Sequence, residues 1–247
     1  MRLVTTDAVV LRSYNLAESD RIVVLLTKTS GLVRAVAKGA RRMKSRFGAA
    51  LEPFTLIKLS FQERENRELV NLSSAEILKS YFNLTSNLEA AEVLAYMGEM
   101  VAEFAPPHET DERLFRMLTA CVEALAQRPG NERALTRYFE IWLLRLAGLF
   151  PDLRVCASCG IPLSANDSLS VDAEVRPRCP NCSPSNSSAL SGEAIKIIRV
   201  THQLSPANFV ETSRLSEQQN AEIGDLTHRL ITRAIERRPR TLVASSR

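Results

Sequence analysis

The sequence predicts an α+β chain of several domains, and three observations carry that expectation. Five short segments of β pattern crowd the first 75 or so of 247 residues. From about residue 83 the apolar spacing changes to a helical period. A stretch from 154 to 190, rich in cysteine, proline, serine and asparagine, then interrupts the helices.

Val9-Val10-Leu11 opens the first apolar run, and Arg21-Ile22-Val23-Val24-Leu25-Leu26-Thr27 is a second, rich in β-branched residues. Ser30-Gly31 supplies a turn. Leu32 to Lys38 alternates, with Val33, Ala35 and Ala37 on one face. Ile57, Leu59 and Phe61 alternate with Lys58 and Ser60, and Arg67 to Leu72 is a shorter fifth run. Five short strands with no helical period between them predict a small barrel. Its length suits an OB-fold, and the pattern alone suits an SH3-like barrel nearly as well.

Leu88 to Phe104 reads as one helix, ended by Pro106-Pro107. Leu114, Met117, Leu118, Cys121 and Leu125 mark the apolar face of a second, which Pro129-Gly130 stops. Asn131 is positioned to cap a third, whose apolar face carries Leu135, Tyr138, Phe139, Trp142, Leu143 and Leu146. Pro151 ends it. Residues 154–190 offer little apolar surface to bury, so something other than a core must order them. Helical pattern returns at Ser191 to Leu204. It appears again after Ser216-Glu217-Gln218-Gln219, which has the form of a capping box ahead of Ile223, Leu226, Leu230 and Ala234.

Apolar content of 45% and charged content of 24% are ordinary for a soluble globular protein. The opening Met1 to Asp7 lacks the pattern of a signal peptide, and no stretch approaches the roughly 18 apolar residues of a membrane span. The expectation is a cytoplasmic protein. The net charge is only +4, but Arg21 to Leu51 alone holds eight Lys or Arg and no acid. From Asn83 to Glu123 eight acids face only Arg113 and Arg116. A polyanion is drawn to the first region and repelled by the second.

The densest cationic run, Lys38-Gly39-Ala40-Arg41-Arg42-Met43-Lys44-Ser45-Arg46-Phe47-Gly48, lies between two strands. A charge run is commonly a solvated loop. Here no acid balances it, and small barrels bind nucleic acid across strands and loops. Lys38, Arg41, Arg42, Lys44 and Arg46, with Arg34 on the preceding strand, are the expected DNA contacts. Phe47 is the one aromatic in the run. Arg229, Arg233 and Arg237 recur every four residues near the end, with Arg238 and Arg240 after them. That side is either a solvated face or an extension of the track.

Cys156-Ala157-Ser158-Cys159 and Cys179-Pro180-Asn181-Cys182 form two CxxC pairs with nineteen residues between them. Two such knuckles give a closed four-thiolate site, which suits one structural Zn²⁺ per chain and leaves no open position for a substrate water. Metal binding also explains how a core-poor insert folds. Cys121 sits on an apolar helix face and reads as a small core residue. His108, His202 and His228 are scattered. No phosphate-binding glycine loop, HExxH or GxSxG occurs, so no catalytic constellation is found.

Taken in order, the Ala37–Arg42 and Lys44–Gly48 run, Leu51-Glu52-Pro53-Phe54, Leu146-Ala147-Gly148-Leu149-Phe150-Pro151-Asp152-Leu153 leading into Cys156-Ala157-Ser158-Cys159-Gly160, and the tail Arg237-Arg238-Pro239-Arg240-Thr241-Leu242 make the sequence resemble the RecO family of bacterial recombination mediators. The likeness covers nearly the whole chain. It implies an OB-fold at 1–80, a helical domain in two parts at 81–153 and 191–247, and an embedded four-cysteine zinc module at 154–190. It implies a non-enzymatic protein that binds single- and double-stranded DNA and anneals complementary strands. With RecR, such a protein helps load RecA onto DNA coated by single-strand-binding protein, in the cytoplasm at the nucleoid, with RecF a further candidate partner. By match, Lys38, Arg41, Arg42, Lys44 and Arg46 fall in the family's DNA-binding stretch. Met43 stands where proline is expected in many relatives. Some relatives lack the cysteines, so the resemblance implies a structural metal.

The coating protein's acidic, apolar-ended tail needs cations beside an apolar groove. Arg133, Arg137 and Arg145 on the third helix are the candidates for it. Two rival readings are an OB-plus-zinc protein acting on RNA in transcription or translation, and a nuclease or redox enzyme using the CxxC pairs.

Overall fold

A computed structural model describes residues 2–63, 69–106, 109–164 and 168–241. Arg67 and Glu68 of the expected fifth strand, His108 and Leu242 lie outside the described residues. The chain divides into two compact units, Met1–Val122 with the segment from Pro239 onward, and Glu123–Arg238.

The first unit is built on strands β1 (Arg2–Leu16), β2 (Asp20–Thr27), β3 (Gly31–Ala37), β4 (Leu56–Glu63) and β5 (Leu69–Lys79). They close a barrel in the order β1-β2-β3-β5-β4. β1 pairs antiparallel with both β2 and β4, and β3 runs parallel to β5. That Greek-key crossing is the OB-fold arrangement and decides it against the SH3-like alternative. The alternation seen in sequence becomes the interior: Val23, Leu25, Val33, Ala35, Ile57, Leu59, Phe61, Val70 and Leu72 are all buried. Phe47, Ala50 and Leu51, from the connection after β3, join the same core.

β1 is far longer than Val9–Leu11. Its ends carry Arg2, Thr5, Arg12 and Ser13, which hide a strand from a hydrophobic pattern. A register shift between Val10 and Arg12 sets Leu11 as the extra residue of a bulge.

Gly31 opens β3 at φ +61, where a Cβ would overlap the Glu109 carbonyl. Neither the left-handed backbone nor the backbone obstruction can relax cheaply. Gly31→Ala is therefore expected to destabilise the barrel by about 2–4 kcal/mol in denaturant titration, and a loss below about 1 kcal/mol would contradict this packing. Helix α1 (Leu88–Phe104) begins at Asn87, whose side chain accepts the Ala90 N–H at 3.1 Å. It lies close on β1: a Cβ on Gly98 would stand 3.2 Å from the Phe54 ring and 3.4 Å from the Leu11 carbonyl.

Helix α2 (Glu112–Gln127) buries Leu114, Met117, Leu118, Cys121 and Leu125, as its spacing predicts. The second unit then holds α3 (Glu132–Leu146), strands β6 (Leu169–Val171), β7 (Pro177–Arg178) and β8 (Ser188–Leu190), and helices α4 (Gly192–Val200), α5 (Pro206–Thr212) and α6 (Glu217–Ile235). The α6 capping box forms: Ser216 Oγ accepts the Gln219 N–H at 3.2 Å, and Gln219 Oε1 accepts the Ser216 N–H at 2.8 Å. Asn131 stands at the start of α3 but does not cap it. Its side-chain amide donates to the Arg128 carbonyl instead.

One helix is missing from the sequence reading, and one expectation is corrected. α5 carries too few apolar residues to show a period, and its signal is the Ser205 cap with Pro206 at the first helical position. The segment around the cysteines also buries more than its composition suggests. Its strands form a small sheet, β7-β6-β8. Leu169, Val171, Val175 and Leu190 there share a core with Ile141, Ile195, Ile198, Ile223 and Leu226. Among the described residues no helix is long and apolar enough to cross a membrane.

Candidate nucleic-acid interface and metal centre

The cationic loop leaves β3 through successive tight turns, with Arg42 N–H donating to the Gly39 carbonyl and Ser45 N–H to that of Arg42. Gly39, at φ +69, makes the first bend. The loop is docked on the turn between β1 and β2. Gly39 N–H donates to the Asp20 carboxylate at 2.8 Å, Arg41 N–H to the Ser19 carbonyl at 3.0 Å, and the Arg41 guanidinium to the Ala17 carbonyl at 2.9 Å. The Gly39 amide, the Ser19 hydroxyl and the charges of Lys38 and Arg42 hold the Asp20 carboxyl below its ordinary range. Asp20 thus fixes the loop at its base.

Lys38, Arg41, Arg42, Lys44 and Arg46 are all exposed, as is Arg34 on β3. The structure brings these six sequence candidates onto one strand and the loop that follows it. Phe47 is not exposed with them: it is buried in the barrel core, with the Arg46 guanidinium 4.8 Å from its ring centroid. It anchors the loop and offers no ring to a ligand. An exposed aromatic does occur at Tyr14, on the part of β1 that hydrophobic patterning misses. The alternation of Arg12 and Tyr14 is the signal that locates it.

The four cysteines meet. Their Sγ atoms all lie within 4.8 Å of one another, with Cys159 and Cys179 at 3.8 Å. A tetrahedral site with Zn–S bonds of about 2.3 Å has S–S edges of about 3.8 Å, so the donor set fits such an ion. The first knuckle turns through Gly160 at φ +74, whose N–H donates to the Cys156 carbonyl. The second is a short 3-10 turn, Pro180–Cys182. N–H groups of Cys159 and Cys179 point at Cys156 and lower its thiol to about 6. Hydrogen bonds to Cys179 and Cys159 push the Cys182 thiol up to about 12. Cys121, by contrast, is buried alone on α2, and burial pushes its thiol upward.

The module has a second clamp in Asp172. Its carboxylate accepts N–H bonds from Glu174 and Arg176, and the Arg176 and Arg178 guanidiniums at 3.1 and 2.8 Å. Burial alone would raise the Asp172 carboxyl, but these donors hold it below its ordinary range. The α6 arginines bind the same turn. Arg229 donates to the Asp172 carbonyl and to Ser188 Oγ, and Arg233 to the Glu174 carbonyl at 3.0 Å. These two tie the module to its helix, while Arg233 remains exposed.

Two of the three partner candidates on α3 are also internal. Arg137 is buried and pairs with the fully buried Glu140 at 3.0 Å. Arg145 donates to Thr201 Oγ1 and the Ile198 carbonyl, both at 2.8 Å, and so closes the end of α4. Only Arg133 presents its guanidinium to the surface, 4.0 Å from Glu217. The expected face fails because α3 is buried on nearly every side, so its polar residues turn inward onto partners.

Comparison with known proteins agrees with this architecture. A family model described as Recombination protein O N terminal matches residues 1–81, and one described as Recombination protein O C terminal matches 85–242. The chain is 38% identical over 184 residues to DNA repair protein RecO of Anaeromyxobacter sp. (strain K), covering 74% of this chain and 72% of that one. It is 38% identical over 185 residues to DNA repair protein RecO of Geobacter metallireducens, covering 74% and 73%. For the protein of that name from Geobacter sulfurreducens the identity is 34% over 198 residues, or 80% of each chain. With both halves matched and three such relatives aligned over most of their length, the chain belongs to the Recombination protein O family of DNA repair proteins.

Proposed function

We propose that the chain is a non-catalytic recombination mediator that grips single-stranded DNA by its backbone, anneals complementary strands and, with RecR, helps place RecA on DNA coated by single-strand-binding protein. One observation carries the reading. Lys38, Arg41, Arg42, Lys44 and Arg46 stand exposed on a loop that Asp20 and Phe47 pin to a closed barrel. Cations held this way neutralise phosphates without reading bases. A loop indifferent to sequence can hold either of two complementary strands. Arg34 extends the same surface along β3.

Zinc is the proposed metal, held by Cys156, Cys159, Cys179 and Cys182. When bound it supplies a cross-link between four thiolates and no open coordination position, so its role is to order residues 154–190. In domain terms the reading is a DNA-binding barrel at 1–80, helical segments at 81–153 and 191–247, and the metal module between them. Binding of single-strand-binding protein and RecR belongs to the helical part, where Arg133 remains an exposed cation for an acidic tail.

The test is a salt titration. If four of the five loop cations each neutralise a phosphate, log affinity for a single strand falls against log salt with a slope of about −3. Affinity then drops roughly fifty-fold between about 50 and 200 mM salt. Changing all five cations to alanine should remove most of that slope. Wild-type affinity in that variant, or a clear preference for RNA over single-stranded DNA, would reject the proposal. Annealing of coated complementary strands, with and without RecR, then separates mediation from plain binding.

A further inference from the structure

The loop cations explain attraction to any polyanion but not a selection for single strands. The sheet beside them carries a feature that does. β-Pairing sets Tyr14 opposite Ile22, Ile22 opposite Val36, and Val36 opposite Asn71. A second row sets Arg12 opposite Val24, Val24 opposite Arg34, and Arg34 opposite Leu69. The alternate residues Val23, Ala35 and Val70 are in the barrel core, so both rows lie on the outer face.

Tyr14 is 47% exposed, and Ile22 and Val36 are half-buried. The Tyr14 hydroxyl stands 3.5 Å from the Arg12 guanidinium, which steadies the ring at its polar edge. Interstrand spacing makes the Tyr14–Ile22–Val36 row roughly 10 Å wide. The row adjoins the cations. Arg41 donates to the carbonyl of Ala17, three residues after Tyr14 in the turn that follows β1, and Lys38 directly follows the end of β3. A flat apolar strip with one aromatic, bordered by cations along one end and flanked by Arg12 and Arg34, has the chemistry of unpaired nucleotides: π-faces and phosphates side by side.

We infer that Tyr14, seated beside Ile22 and Val36, is the base-stacking platform of the DNA interface, taking bases of a single strand whose phosphates lie on Lys38, Arg41 and Arg42. This rests on the DNA-binding reading above. A duplex keeps its base faces stacked inside, so it gains only the phosphate contacts. A single strand gains both.

Fluorescence-anisotropy titrations test this with wild type, Tyr14→Ala, Tyr14→Phe and the five-alanine loop variant. The probes are oligo-dT, an abasic strand of equal length and a duplex. Tyr14→Ala should weaken oligo-dT binding about tenfold while leaving its salt slope unchanged. The same variant should bind the abasic strand and the duplex as wild type does, and Tyr14→Phe should stay within about twofold of wild type on every probe. Since Tyr14 is exposed, its variants should melt with the wild type. Oligo-dT affinity unchanged by Tyr14→Ala, or an equal loss on the abasic strand, would overturn the platform. If the loop variant still loses binding in that case, DNA binding by the loop stands and only the stacking role falls. If the loop variant binds every probe as wild type does, the underlying reading fails instead.

Discussion

Chelation of the proposed zinc from the four-cysteine centre is expected to lower the melting temperature of residues 123–238 by more than about 10 °C, since even a loss of about 5 kcal/mol, well below the roughly 10–16 kcal/mol apparent for structural zinc, suffices for that shift. The local architecture explains the size. β6, β7 and β8 are two or three residues long, too short to persist on their own hydrogen bonds. Cys156 and Cys179 sit at the base of this sheet, with Ala157 N–H donating to the Pro177 carbonyl and Cys179 N–H to Cys156 Sγ. Releasing the thiolates frees both knuckles and loosens the seating of Leu169, Val171 and Val175 against Ile195, Ile198 and Ile223. Each buried side chain so exposed adds roughly 1.5–3 kcal/mol to the loss. Cys156→Ser and Cys182→Ser should act in the same direction. The barrel closes on its own core, so its unfolding transition and oligo-dT affinity should change little. Native mass spectrometry should find one metal per chain, and calorimetry with and without chelator should show the drop. A metal-free chain with an unchanged melting curve would sink the proposal.

What sequence reveals here depends on whether the cause is local. The CxxC pairs are legible because ligand spacing is a property of adjacent residues, and the four sulfurs do converge. The loop is legible as charge, since no acid lies within the run. Its anchor is not, because Asp20 reaches Gly39 from a different hairpin. β2 is legible as a β-branched apolar run, and β3 and β4 from inside–outside alternation, which the buried set Val33, Ala35, Ile57 and Leu59 reproduces. The outer half of β1 is illegible because its exposed face breaks the pattern, and Tyr14 is overlooked with it. On α3 the reverse error occurs. Arg137 and Arg145 read with Arg133 as cations for an acidic partner, yet in sequence a polar residue facing water and one facing buried partners look the same. Only the fold tells them apart.

The buried pair on α3 carries the other large effect. Arg137 Nη1 lies 3.0 Å from Glu140 Oε2, and Thr227 Oγ1 donates to the same carboxylate oxygen at 2.7 Å. His228 Nε2 lies 3.1 Å from Glu140 Oε1. Gly224 makes room for this network, since a Cβ there would stand 2.5 Å from Arg137 Nη1. Glu140→Ala removes the only charge balancing a buried guanidinium among these contacts and should destabilise the chain by about 3–5 kcal/mol. The double change Arg137→Met with Glu140→Leu should recover most of that loss, because it removes both buried charges and keeps the volume. The pair also sets a pH dependence. Burial alone would raise the Glu140 carboxyl, but the Arg137 charge, the His228 contact and the Thr227 hydroxyl hold it below its ordinary range in the folded chain. A carboxyl lowered by folding stabilises fully above its unfolded value, near about 4.3, and loses that contribution as pH falls through the folded value. The wild type should therefore weaken steeply below about pH 4.3, while Glu140→Gln, already weaker at neutral pH, should show a flatter acid limb. Denaturant titrations between about pH 3 and 7 measure both. Parallel acid limbs in the two proteins would mean that Glu140 does not carry its charge into the fold, and the network would then have to be held by hydrogen bonds alone.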